Sequence, residues 1–140
     1  PRPRTEKMAE GVTLAANPAD TTALKHIPGI GSYYARKIVD YRERLGGFVS
    51  TSQIGEIEDL PAGITRWFVL DKADKPRQLR INHATFKQLV RHPYLSYEQT
   101  KIIVTHIRQY GAIRSWRDLQ LYKEFTQNDF KRLAPYISFK

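Results

Sequence analysis

Apolar residues recur along this chain at helical spacing, and no stretch alternates long enough to compete as a strand. Ala35, Ile38, Val39 and Leu45, with Arg42 among them, form one stripe; Thr100, Ile103, Ile107 and Tyr110 form a second. Start signals stand where helices should open. Asn17-Pro18-Ala19-Asp20 offers an N-cap, a proline at the first helical position and an acid at the third. Ser50-Thr51-Ser52-Gln53, Ser96-Tyr97-Glu98-Gln99, Ser115-Trp116-Arg117-Asp118 and Thr126-Gln127-Asn128-Asp129 read as capping boxes. Gly46-Gly47 and Gly111 are the matching stops. The pattern predicts an all-α fold with helices over 18–26, 32–45, 51–58 and 62–70, then 83–91, 97–110, 116–123 and 127–134. Residues 71–81, with Pro76, read as a linker. Residues 1–13, polar and proline-bearing, read as a disordered tail.

The two sets of helices are copies of one unit. At a constant offset of 65 residues (82 − 17), Asn17 pairs with Asn82, Ala19 with Ala84, Leu24 with Leu89 and Pro28 with Pro93. The same offset joins Ile38 to Ile103, Gly46 to Gly111, Phe48 to Ile113, Ser50 to Ser115 and Ile54 to Leu119. The copies diverge after about Leu60 and Phe125. This gives two domains, 14–75 and 76–140, behind the tail.

Charge distinguishes the copies. The chain carries a formal +9, which favours an anionic partner such as nucleic acid or an acidic membrane surface. Residues 17–75 hold eight basic and eight acidic groups, whereas residues 76–140 hold twelve and four. Arg77, Arg80, Lys87, Arg91, Lys101, Arg108, Arg114 and Arg117 are therefore expected to form a supporting basic surface. There are no cysteines, so disulfides, thiolate metal sites and a cysteine nucleophile are excluded. No run approaches the roughly 18 apolar residues of a membrane span. The first residue is Pro1 rather than Met, so an upstream anchor that holds the chain outside the cytoplasm is one expectation and a cytoplasmic location the other.

The sharpest motif is Leu24-Lys25-His26-Ile27-Pro28-Gly29-Ile30-Gly31-Ser32-Tyr33-Tyr34-Ala35. Pro28 ends a helix, and Gly29 permits a turn with positive φ. Ile30 is placed to fill the cleft between two helices. Gly31 has no Cβ, so a phosphate oxygen can approach the unpaired N–H groups of the next helix, where the helix dipole favours an anion. Arg36 and Lys37 stand one turn further on. The expected phosphate-binding set is Gly29, Ile30, Gly31, Ser32, Arg36 and Lys37. Such a device reads the nucleic-acid backbone and carries no base code. In the second copy, His92-Pro93-Tyr94-Leu95-Ser96 lacks both glycines, Ser96 is placed to cap the amides, and Glu98 sets a negative charge beside them. That hairpin is expected to be structural. Leu60-Pro61-Ala62-Gly63-Ile64 receives no assignment.

This motif resembles the helix-hairpin-helix signature. With Asn-x-Ala-Asp-x-x-x-Leu before it, and Ile-x-x-Tyr-Arg and Gly-x-Phe after it, the chain is similar to the competence-type DNA-uptake receptor (ComEA-like) branch. The likeness covers about residues 14–70 well and 79–140 more loosely. It implies two tandem helix-hairpin-helix repeats folded as SAM-like helical bundles. It also implies double-stranded DNA binding without sequence preference, in DNA uptake or repair, through amides around Gly29, Ile30 and Gly31. A monovalent cation held by hairpin carbonyls is a further implication; no other cofactor is expected.

The remaining chemistry is negative. His26, His83, His92 and His106 lack a tight ligand spacing with carboxylates, so no metal site is expected. Trp67, Trp116, Tyr33, Tyr34 and Tyr41 read as packing residues rather than base-stacking ones. No nucleophile–base pair or nucleotide-binding loop is present, so the chain reads as a non-enzyme without a small-molecule substrate. The rival to DNA binding is a protein–protein scaffold that keeps the fold alone.

Overall fold

Two helical units, each closed by a short parallel strand pair, make up the computed structural model, which describes residues 6–140. Unit 1 contains the described residues up to Glu43 together with Gly47–Lys75; unit 2 contains Arg44–Gly46 and Pro76–Lys140. Helices dominate, in keeping with the all-α pattern of the sequence.

In unit 1, the strand β1 (Leu14–Ala15) leads into α1 (Thr21–Leu24) and α2 (Ser32–Leu45); the last two residues of α2 belong to unit 2. Two 3-10 helices follow, Thr51–Glu56 and Ile64–Trp67, and then β2 (Phe68–Val69). Leu24, Ile27, Ile30, Ala35, Ile38, Ile54 and Trp67 form the buried core. The helical stripe of α2 is thus its core face, and Arg42 within it is also buried. Its guanidinium donates to the carbonyls of Ala16 and Ala19, so the charge is held by backbone acceptors rather than by solvent.

Unit 2 repeats the order. β3 (Leu79–Arg80) precedes α3 (Phe86–Arg91) and α4 (Tyr97–Tyr110). The 3-10 helix Trp116–Leu119, α5 (Gln127–Leu133), the 3-10 turn Ala134–Tyr136 and β4 (Ile137–Ser138) complete it. Trp116 packs between Phe130 and Phe139, with ring centroids 5.0 and 4.9 Å away.

Several expectations need correction. Asn17 does not cap a helix. Its side-chain oxygen accepts from Phe48 N–H at 2.7 Å, and its amide donates to Phe48 O at 3.0 Å. Asn82 binds Ile113 in the same two-way manner, at 2.7 and 2.8 Å. The actual cap of α1 is Asp20, which accepts from Ala23 N–H; its partner at the 65-residue offset, Thr85, caps α3 in a capping box with Gln88. The helices therefore begin later than 18 and 83. The third helix of each repeat is a short 3-10 helix, as is the fourth of unit 1. The boxes at Ser50, Ser96 and Thr126 form, but Ser115 makes no cap bond, because Asp118 accepts from Arg114 N–H instead.

Strands were not expected. β1 pairs with β2 in parallel (Leu14 opposite Phe68), and β3 with β4 (Leu79 opposite Ile137). β3 also shortens the stretch 71–81 read as linker. The closing strands stand 69 residues apart (137 − 68) rather than 65, so four residues are inserted where the copies diverge. Of the stretch 1–13 read as a disordered tail, residues 1–5 lie outside the described residues. Glu6 to Met8 are tied down: Met8 N–H donates to His26 O at 2.7 Å, and His26 Nδ1 donates to Glu6 O at 2.6 Å.

Candidate nucleic-acid interface

The turn between α1 and α2 is built as its residue types demand. Ile30 is fully buried beneath it, and Ile30 N–H donates to Ile27 O at 3.0 Å. Gly29 has φ +86, and a Cβ there would lie 3.3 Å from Pro61 Cγ. Gly31 differs: a Cβ would meet nothing within 4 Å, so the space over it is open. The first helical bond of α2 runs from Ala35 N–H to Gly31 O at 2.9 Å. The N–H groups of Ser32, Tyr33 and Tyr34 point out of the helix start, and no described group accepts from them. Gly31, Ser32, Tyr33 and Arg36 are all exposed around this edge.

The charged residues behind the edge divide. Arg36 makes no hydrogen bond or ion pair among the described residues. Lys37, read alongside it as a phosphate ligand, is engaged elsewhere: its Nζ donates to Glu58 O at 3.0 Å, lies 4.0 Å from Asp59 Oδ2 and sits over the Tyr33 ring. Tyr33 itself is 62% exposed. That departs from the packing role read for it, while Trp67 is buried as expected. Nothing in the sequence distinguished Tyr33 from Tyr34; only its place on the outer face of α2 does.

The second hairpin keeps the path of the first and closes its edge. Leu95 N–H donates to His92 O at 3.0 Å, the counterpart of the Ile30–Ile27 bond. Tyr94 replaces Gly29 without a positive φ and is buried, with the Arg132 guanidinium 3.9 Å over its ring. Ser96 replaces Gly31. Its hydroxyl accepts from Gln99 N–H at 3.1 Å, and Gln99 Oε1 accepts from Ser96 N–H at 3.0 Å. The Gln99 amide, counterpart of the free Tyr34 amide, is therefore taken.

His92 holds this turn from inside. Tyr94 N–H donates to its Nδ1 at 3.1 Å, which places the ring proton on Nε2, and Nε2 donates to Leu45 O at 3.0 Å within unit 2. Burial lowers its pKa from 6.5 to about 4, against the bond to Leu45, with the Arg44 and Arg132 charges adding to the fall.

All eight residues of the expected basic surface, Arg77, Arg80, Lys87, Arg91, Lys101, Arg108, Arg114 and Arg117, are exposed. Apart from Arg77, none makes an ion pair among the described residues, so their charge is not cancelled locally. Among the described residues no group of three His, Asp or Glu side chains is placed to hold a metal ion, and no helix is long and apolar enough to cross a membrane.

The carbonyl side of the first hairpin is also occupied. Lys7 Nζ donates to Lys25 O at 2.5 Å, Ile30 O at 3.1 Å and Ile27 O at 3.4 Å. No residue pattern along the chain signals this contact.

A turn with one fully buried residue, a positive-φ glycine and an open amide edge, flanked by two helices and present twice in altered form, defines a class. The family model for the helix-hairpin-helix motif matches residues 9–64 and again 75–138. The chain belongs to the helix-hairpin-helix family and carries two copies of its motif. No curated protein and no solved structure matches the chain. Motifs of this family commonly bind nucleic acid.

Proposed function

We propose that the chain is a non-enzymatic module that binds double-stranded DNA without sequence preference, gripping phosphate at the first hairpin. One observation carries this reading. The amides of Ser32, Tyr33 and Tyr34 have no acceptor among the described residues and face open space over Gly31. Unpaired helix-start donors with exposed Arg36 beside them suit a phosphate oxygen. The uncompensated arginines and lysines of repeat two supply the counterion release that dominates non-specific affinity. On this reading the repeats are SAM-like bundles and the chain serves in DNA uptake or repair, like the ComEA-like branch it resembles, either anchored outside the cytoplasm or within it.

Fluorescence anisotropy with two unrelated duplexes, repeated from low to physiological salt, tests the proposal. Equal affinity for the two duplexes and a steep fall with salt are expected. Absence of binding at low salt would favour a protein–protein scaffold, a reading that the self-capped second hairpin supports.

A further inference from the structure

Lys7 approaches the first hairpin in a way that a surface lysine has no need to. Three backbone carbonyls, from Lys25, Ile27 and Ile30, converge on its ammonium. These oxygens lie where α1 ends and the turn begins, so they include acceptors that helix geometry leaves without partners. An ammonium has three N–H donors and no acceptor, and here three acceptors meet it. Its position is fixed from both sides. Met8 N–H donates to His26 O, and His26 Nδ1 donates to Glu6 O, so the residues before and after Lys7 are both fastened to His26, inside the same turn. Lys7 is thus held by a two-point anchor with its charge over the carbonyl cage.

Convergent carbonyl oxygens without a carboxylate make a site for a monovalent cation, and potassium and ammonium are close in size. The cage therefore fits such an ion in chemistry, but the chain's own side chain takes the position. We propose that Lys7 is a tethered replacement for a monovalent cation at the first hairpin, and that the cage accepts potassium or sodium only when the Lys7 ammonium is removed. The turn then keeps its shape whatever salt surrounds it. The converging carbonyl dipoles are neutralised by a charge that cannot diffuse away. In the second hairpin the Arg132 guanidinium instead lies over the ring of the buried Tyr94. This inference is independent of DNA binding.

The test is thermal melting of the full chain and of Lys7→Met, which keeps the stem and removes the charge. Each is melted in potassium chloride, sodium chloride and tetramethylammonium chloride at equal ionic strength; the last cation is too large for the cage. The parent should melt alike in all three salts. Lys7→Met should melt roughly 5 °C lower in tetramethylammonium and recover in potassium or sodium with a saturable concentration dependence. Amide NMR signals of Ile27, Ile30 and Gly31 should move with added potassium in the variant and stay still in the parent. Three results overturn the proposal. The variant melts like the parent in every salt, so Lys7 is idle. The variant melts low in all three salts alike, so Lys7 is a tether and not a cation equivalent. Or the parent's amide signals respond to potassium, so an inorganic ion enters despite Lys7.

Discussion

The two hairpins share a path and differ in what they do with the start of the helix that follows. In the first, Gly29 accepts a left-handed backbone, Gly31 leaves space, and three amides stay free. In the second, Tyr94 packs inward, Ser96 and Gln99 cap each other, and His92 ties the turn to Leu45 O. Replacing both glycines turns an amide edge able to receive an anion into one that satisfies itself. The duplication thus separates two properties that a single hairpin must trade against each other, an open donor edge and local stability. It also separates edge from charge, since the repeat with the free amides is neutral and the repeat with the closed hairpin is basic.

Acid should expose the comparison most strongly. His92 corresponds to Ile27 at the 65-residue offset, so only the second turn has a titratable group in this place. Because folding lowers its pKa, the unfolded chain takes up a proton that the folded chain refuses between pH 6.5 and about 4. The stability from a neutral His92 is fully present above pH 6.5. It is lost as the pH falls toward 4, to a total of about 3 kcal/mol. Denaturant melts followed by NMR signals of unit 2 should show this loss. His92→Ile should start less stable, with Tyr94 N–H left unpaired, but should flatten the dependence across that window. An unchanged slope in the variant would assign the acid sensitivity to carboxylates.

Next in size is Gly29→Val, which forces a β-branched residue to φ +86 and a Cβ against Pro61. A loss of roughly 2 kcal/mol is expected in chemical denaturation. A variant as stable as the parent would show that the turn can relax to the backbone seen at Tyr94.

Gly31→Asp separates binding from stability. Its Cβ enters open space, and its carboxylate can cap the Tyr34 amide as Ser96 caps Gln99. DNA affinity should fall at least about tenfold, near 1.4 kcal/mol, while stability stays level or rises by up to about 1 kcal/mol. Equal affinity in anisotropy would place the DNA contact elsewhere. The smallest effect belongs to Ser96→Ala. It should cost about 1 kcal/mol for the lost cap and leave DNA affinity unchanged; weaker binding by a normally melting variant would mean that the second hairpin touches DNA.

What the sequence disclosed follows from how local each signal is. The duplication, the α2 and α4 stripes, their glycine stops and three capping boxes all depend on neighbours in the chain or on a fixed offset, and these were legible. The Asn17 side chain suits a cap or a bridge equally, and only the fold brings Phe48 to it. The strand pairs are two residues each, too short for alternation to register. In the candidate site, Gly29, Ile30 and Gly31 were legible from steric need. The diversion of Lys37 to Glu58 O was not, since it depends on where a distant loop falls. The pairing of His92 with the apolar Ile27 at the repeat offset does mark it as a core position.

The strand pairs also govern when each repeat can finish folding. β1 waits for β2, which lies at the far end of its unit, and β3 likewise waits for β4. On a ribosome that releases the chain from its N-terminus, unit 1 cannot close until Phe68 and Val69 have emerged. Unit 2 stays open until Ile137 and Ser138, almost the last residues described, are free of the exit tunnel. Completion of the first repeat therefore precedes that of the second by slightly more than one repeat of synthesis. The late, long-range closure of unit 2 makes its final strand the step at which an interrupted chain would be left unsealed.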